Sequence, residues 1–155
     1  MASKKPPNFS WVIDNVLAGC GFPSSPAHIQ YMKDNGVKHL ISLTAERTPP
    51  TQGFTGFRLI QIKLKDFTSP TVYQVDDFIR FVDEARQKGE GVAVHCMLGR
   101  GRTGTMLACY LAREHGLTGQ QAIEETRRLR PHSIETVEQE ELIKTYVEHL
   151  KKQSK

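Results

Sequence analysis

Apolar positions along the chain fall into two rhythms, and together they predict strands separated by helices. Val12-Ile13 and Val16-Leu17-Ala18 are short strand candidates on either side of an Asp-Asn turn. His39-Leu40-Ile41-Ser42-Leu43 reads as a buried strand, and Phe57 to Leu64 alternates like another. Val72, Val75, Phe78, Ile79, Val82 and Ala85 recur instead at helical spacing, as the core-facing stripe of a helix that ends at Gly89. Ser25-Pro26 opens a helix that runs through Lys33 and stops before Gly36, by N-cap, N1-proline and terminal-glycine signals. Thr118 with Gln121 and Thr136 with Gln139 have the spacing of capping boxes, each opening a further helix. Thr48 to Gly53 is a surface loop, and Met1 to Pro7 and Lys151 to Lys155 are expected to be loose. The pattern predicts one α/β domain over residues 1–155, with helices packed on a central sheet. Strands joined by helices are expected to pair in parallel, but strand order does not follow from the pattern.

The richest segment is His95-Cys96-Met97-Leu98-Gly99-Arg100-Gly101-Arg102-Thr103-Gly104. It follows the apolar run Val92-Ala93-Val94 and precedes the helix-like Thr105 to Leu111, so the order is strand, glycine-containing loop, helix. Successive backbone N–H groups in such a loop converge on an anion, and the helix N-terminus adds unpaired N–H groups and the positive end of its dipole. Gly99, Gly101 and Gly104 fit this use, because glycine accepts positive φ and lets backbone approach a ligand closely. Arg102 offers a planar fork to two phosphate oxygens, a geometry lysine does not reproduce. The same positive surroundings favour the thiolate of Cys96, the nucleophilic form. The competing reading of Cys96 is a small buried hydrophobe. Cys20, Cys96 and Cys109 lack the paired spacing of a metal site, and neither G-x-x-x-x-G-K-[ST] nor G-x-G-x-x-G is present.

Length and composition add bounds. The 155 residues are one domain's worth, with 38% hydrophobic and 25% charged residues as in an ordinary globular protein. The net charge of +4 is mild and its basic residues are dispersed, which argues against nucleic acid as a partner. No apolar stretch reaches the length of a membrane span, and the first residues do not form a signal peptide. Three cysteines without a framework point to a reducing compartment, hence to a soluble cytoplasmic protein.

The run His95 to Thr103 reads as H-C-x5-R-[ST], and the chain resembles the atypical dual-specificity phosphatases of the cysteine-dependent protein tyrosine phosphatase superfamily. Pro7 to Val12, Arg102 to Leu111, Arg127 to Pro131 and Ser133 to Thr136 carry the resemblance beyond the signature. It implies a single-domain phosphatase fold with a mostly parallel sheet of four or five strands, in a monomer of the cytoplasm and also the nucleus. It implies Cys96 as nucleophile, Arg102 as phosphate ligand, and Asp66 as general acid on a loop about thirty residues before the nucleophile. A proline often precedes that acid in the family, and here the residue is Lys65. The Thr103 hydroxyl is expected to donate to the sulfur, or else to form a helix N-terminal hydrogen bond. His95 is expected to be structural, hydrogen-bonded to backbone. Glu135, with Ser133, reaches toward the site edge and is a candidate for placing the hydrolytic water, unless it only favours a helix dipole.

The expected activity is metal-independent hydrolysis of phosphotyrosine and phosphoserine or phosphothreonine in proteins, through a phosphocysteine and without a cofactor. Met97, Leu98, Gly99, Arg100 and Gly101 line the expected substrate site, with Phe67 and Met97 as an apolar rim. Arg100 opens a second reading, a phosphoinositide or other polyphosphorylated substrate. A third is a phosphate-binding module with weak catalysis, and a fourth is sulfur transfer by a rhodanese-like domain.

Overall fold

The computed structural model describes residues 2–153. The elements run β1 (Ser10–Ile13), β2 (Leu17–Cys20), α1 (Pro26–Asp34), β3 (Val37–Thr44), β4 (Arg58–Leu64), α2 (Val72–Gln87), β5 (Gly91–His95), α3 (Gly101–His115), α4 (Gly119–Leu129) and α5 (Val137–Gln153). The five strands form one sheet in the order β1-β2-β5-β3-β4. β5 lies at its centre, parallel to β2 and to β3, which is itself parallel to β4. Only β1 is antiparallel, because a three-residue turn through Asn15, at φ +61°, returns the chain directly beside it.

Strand alternation sends side chains to two cores. Leu17, Ile41, Leu43, Val92 and Val94 face the layer of α2 to α5, while Ala18, Leu40 and Ala93 face α1 with Phe9, Ile29 and Met32. The β3–β5 register slips between Val37 and His39, which lets Val37 share the α1 face with Leu40 despite the odd separation. On α2 the buried residues are Val75, Phe78, Ile79, Val82 and Ala85, the stripe its spacing predicts, with Val72 half-buried against the same core. α3 is buried on every side from Gly101 to Ala112, as a helix must be when it lies between the sheet and its neighbours α4 and α5.

The capping boxes at Thr118 and Thr136 form as spaced, and a further one joins Thr71 to Gln74 at the start of α2. Both chain ends depart from expectation. Lys4 N donates to Ala27 O at 3.1 Å, Gly21 N donates to Pro7 O at 2.8 Å, and Pro6 is buried, so this arm is docked on the domain. Lys151 and Lys152 continue α5, where cations suit the C-terminal end of the helix dipole. Met1, Ser154 and Lys155 lie outside the described residues.

Parallel strands of one sheet share the direction in which they end. β3, β4 and β5 therefore deliver the segments beginning at Ala45, Lys65 and Cys96 to a single edge, the usual place for a ligand in such a sheet.

Candidate active site

The loop between β5 and α3 is held by its carbonyl oxygens. His95 Nδ1–H donates to Cys96 O at 3.1 Å, Phe22 N to Met97 O at 2.9 Å, and Asn8 Nδ2 to Leu98 O at 3.1 Å. Gly99 O accepts from Asn8 Nδ2 at 3.3 Å and Arg130 Nη2 at 2.6 Å, and Arg100 O accepts from Gly104 N and Ile134 N at 2.9 and 3.1 Å. A planar trans peptide points its C=O and the next N–H to opposite sides. With these carbonyls tied outward, the amides of Met97, Leu98, Gly99 and Arg100 turn toward the enclosed side, and they donate to no acceptor among the described residues. That is the geometry of an anion nest.

The glycines divide their work differently from the sequence expectation. Gly99 has φ +76°, and a Cβ there would lie 2.6 Å from the carbonyl carbon of Cys20. Gly101 and Gly104 have ordinary helical backbone and serve only close approach. Their Cβ atoms would fall 2.5 Å from Glu135 Oε1 and 2.8 Å from Ser133 Cβ.

Arg102 is 1% exposed. Its Nη1 donates to Glu46 Oε1 and to Leu64 O, both at 2.9 Å, and its Nη2 donates to Glu46 Oε2 at 3.0 Å. Asp66 Oδ1 lies 3.5 Å from the same Nη2. The fork thus grips a carboxylate of its own protein, and Nε, buried without a partner, is left for a ligand. Burial works against the guanidinium charge, but Glu46, with Cys96 and Asp66 nearby, outweighs it and holds the Arg102 pKa above its ordinary value. The reciprocal hydrogen bond from Arg102 draws the Glu46 carboxyl below the usual range. Next to Glu46, the Arg47 guanidinium lies 4.0 Å from the centre of the Phe22 ring, which packs at 83° to the His95 ring.

Arg130 is a second buried guanidinium, 2% exposed, and all its partners are neutral. Nη1 donates to Asn8 O and Ser10 Oγ at 2.7 Å and to Gly19 O at 3.0 Å, beside the bond from Nη2 to the loop. Burial pulls its pKa down. Glu46 does not stand out in the sequence, since it follows a strand in a loop without periodicity. Arg130 falls within the Arg127 to Pro131 segment that carries the resemblance, but the sequence assigns it no task.

The sequence of residues 6–143 matches the family of Swiss Army Knife proteins with a DSP-PTPase phosphatase domain, PTP-SAK. The chain belongs to this phosphatase family. It is 32% identical over 142 residues to the tyrosine-protein phosphatase cdc-14 of Caenorhabditis elegans, covering 82% of this chain and 20% of that protein. It is 27% identical over 111 residues to dual specificity protein phosphatase 1 of Arabidopsis thaliana, covering 72% of this chain and 56% of that protein. The chain therefore spans from a fifth to little more than half of these relatives' length. Among solved structures, Tk-PTP in its active form superposes with a TM-score of 0.80 at 28% identity, over 92% of this chain and 97% of that one.

Within this DSP-PTPase domain, Cys96, Arg102 and Asp66 come together at the C-terminal edge of the sheet. Thr103 is fully buried inside the first turn of α3 and its Oγ1 has no partner, so neither the bond to the Cys96 sulfur nor the helix N-terminal hydrogen bond is made in this structure. Glu135 touches the loop at Gly101, whereas Ser133 is turned away and donates to Arg130 O at 2.7 Å. Ser133 therefore supports the backbone rather than the site edge. Phe67 and Leu98 are each 59% exposed and Met97 half-buried, so the apolar rim extends to Leu98; Arg100 is exposed beside it. Among the described residues, no group of three histidine, cysteine or acidic side chains is placed to hold a metal ion.

His95 is fully buried, and burial lowers its imidazole from 6.5 to about 4, with Arg102 adding to the effect and the bond to Cys96 O opposing it. The unfolded chain takes up this proton below about pH 6.5 and the folded chain only below about 4, so stability falls as pH drops through that window. The contribution is on the order of 3 kcal/mol, and His95→Asn is expected to flatten the pH dependence of the urea midpoint there. The other two thiols are fully buried in apolar surroundings, which pushes Cys20 up to about 12 and Cys109 up as well. Iodoacetamide at neutral pH is therefore expected to label Cys96 ahead of Cys20 and Cys109 in peptide mapping by mass spectrometry, with inorganic phosphate protecting Cys96.

Proposed function

We propose that this chain is a metal-independent phosphomonoesterase that hydrolyses phosphotyrosine and phosphoserine or phosphothreonine in proteins through a phosphocysteine. The observation that carries the reading is the outward tethering of every loop carbonyl from Cys96 to Arg100, which leaves the amides beside Cys96 for an anion. Cys96 Sγ attacks phosphorus while the amides and Arg102 Nε bind the non-bridging oxygens. The bond from phosphorus to the leaving oxygen breaks, and Asp66 gives that oxygen its proton. Water then attacks the phosphocysteine and passes a proton to Asp66, and the S–P bond breaks as Thr103 Oγ1 donates to the departing sulfur. Glu135, against Gly101, is suited to place that water.

The segments Pro7 to Val12, Arg102 to Leu111, Arg127 to Pro131 and Ser133 to Thr136 support a finer assignment, a small atypical member similar to dual specificity protein phosphatase 23. Exposed Phe67 and Leu98 suit a shallow mouth that takes both aryl and alkyl phosphoesters. With them go a monomeric state and a cytoplasmic, and also nuclear, location.

Cys96→Ser is expected to lower turnover of an aryl phosphate by at least about 10³-fold. Asp66→Asn is expected to lower it about 10²-fold with KM nearly unchanged. Phosphate binding by the purified protein without turnover would instead mark a binding module, and thiosulfate-to-cyanide sulfur transfer a rhodanese. Arg100, exposed at the mouth, favours the second reading of a polyphosphorylated small molecule or lipid headgroup. On the protein-phosphatase reading, Arg100→Ala lowers kcat/KM for singly and doubly phosphorylated peptides alike. A loss about tenfold greater for inositol polyphosphates than for monophosphates assigns the substrate to the second reading.

A further inference from the structure

Gln139 lies in the first turn of α5 and is fully buried. Its amide serves three segments. Oε1 accepts from Glu135 N at 2.8 Å and Thr136 N at 3.2 Å, and Nε2 donates to Thr68 O at 3.1 Å. The same amide packs on the phosphate loop, for a Cβ on Gly101 would lie 3.1 Å from Nε2.

Thr68 closes the turn that carries Asp66. Its N and Oγ1 both donate to Lys65 O, at 3.2 and 2.5 Å, Phe67 takes φ +62°, and Phe67 N donates to Asp66 Oδ1 at 2.9 Å. The turn is internally bonded and exposed from Lys65 to Thr68. Among the described residues, the bond from Gln139 is the only hydrogen bond reaching it from outside; the Arg102–Asp66 ion pair is its other polar link. Helix capping accounts for Oε1 of Gln139 but leaves Nε2 unexplained, and a buried amide donor needs a partner only where an amide is retained. Lys65 stands where the family resemblance gives a proline, so this turn lacks that source of stiffness.

We propose that Gln139 is the positioning residue for the general acid: its Nε2–Thr68 O bond holds the Asp66 turn at a fixed height over the phosphate loop. The inference rests on Asp66 being the acid that protonates the leaving group. Displacing a catalytic group by about an ångström costs up to about 10²-fold, and only substrates that need the proton feel this loss.

Gln139→Glu keeps the two bonds accepted at Oε1 and replaces the Nε2 donor by an oxygen; Gln139→Met removes both roles without adding charge and serves if the first variant does not fold. The readout is kcat/KM over a series of aryl phosphates whose phenols span good to poor leaving groups, in the parent and in Asp66→Asn. Both Gln139 variants are expected to lose about 10- to 100-fold on the poorest leaving groups and less than about threefold on the best. Neither is expected to lose anything further in the Asp66→Asn background, and hydrogen exchange at Phe67 and Thr68 should accelerate. Equal losses across the series, or losses that add to those of Asp66→Asn, would overturn the proposal and leave Gln139 as a packing residue. An Asp66→Asn enzyme with the parent's leaving-group dependence would overturn the assignment of the acid itself, and an absence of Cys96-dependent turnover would overturn the phosphatase reading.

Discussion

A loop that binds a dianion with its backbone must leave its own amides unused, and a folded chain rarely tolerates that. The solution here is to satisfy the other half of each peptide. Every carbonyl from Cys96 to Arg100 has a donor: the neighbouring His95 ring for Cys96, and for the others the segment after β2 at Phe22, the N-terminal arm at Asn8, the segment before α5 at Ile134, and Arg130 after α4. From Met97 onward the phosphate loop is therefore shaped largely from outside. Its own sequence contributes the one positive φ at Gly99 and room at Gly101 and Gly104. Arg130 shows the cost of the arrangement, since a buried guanidinium with only neutral acceptors gains no ion pair against its desolvation.

The two buried arginines have opposite surroundings and opposite tasks. Arg130 spends its terminal nitrogens on carbonyls and a hydroxyl, as a clamp does, while its Nε, like that of Arg102, is buried without a partner. Arg102 is presented edge-on because Glu46 and Leu64 O fix its terminal nitrogens, leaving Nε open. Carboxylates at Glu46 and Asp66 near an anion site would oppose ligand charge if they stood alone. Paired to one guanidinium, they orient it instead.

Much of the architecture was legible because its signals are local. The strand–loop–helix around Cys96, the α2 stripe, and the capping threonines at Thr118 and Thr136 are each set by residues within a turn or two of one another. Asp66 is singled out by its distance to Cys96 in a known pattern, and the structure places it beside Arg102. The residues that escaped notice act across the fold. The side chains of Glu46 and Arg130 and the Nε2 of Gln139 have partners 56, 31 or more, and 71 positions away, and nothing in their own neighbourhoods points to those partners. The docked N-terminal arm was misread for the same reason, since its polar composition resembles a free end while its backbone bonds go to Ala27 and Gly21.

Those separations carry a consequence for how the protein comes into being. Arg130 bonds to Asn8, Ser10 and Gly19 across 122, 120 and 111 positions, so the clamp on the phosphate loop joins β1 and β2 and the arm before them to a residue made more than a hundred positions later. A chain emerging from the ribosome exposes Cys96 well before either Arg130 or Gln139 exists to complete its surroundings. The surroundings of Cys96 are thus completed only after Arg130 and Gln139 have been made, and a chain cut short between residues 96 and 130 carries the thiol without them.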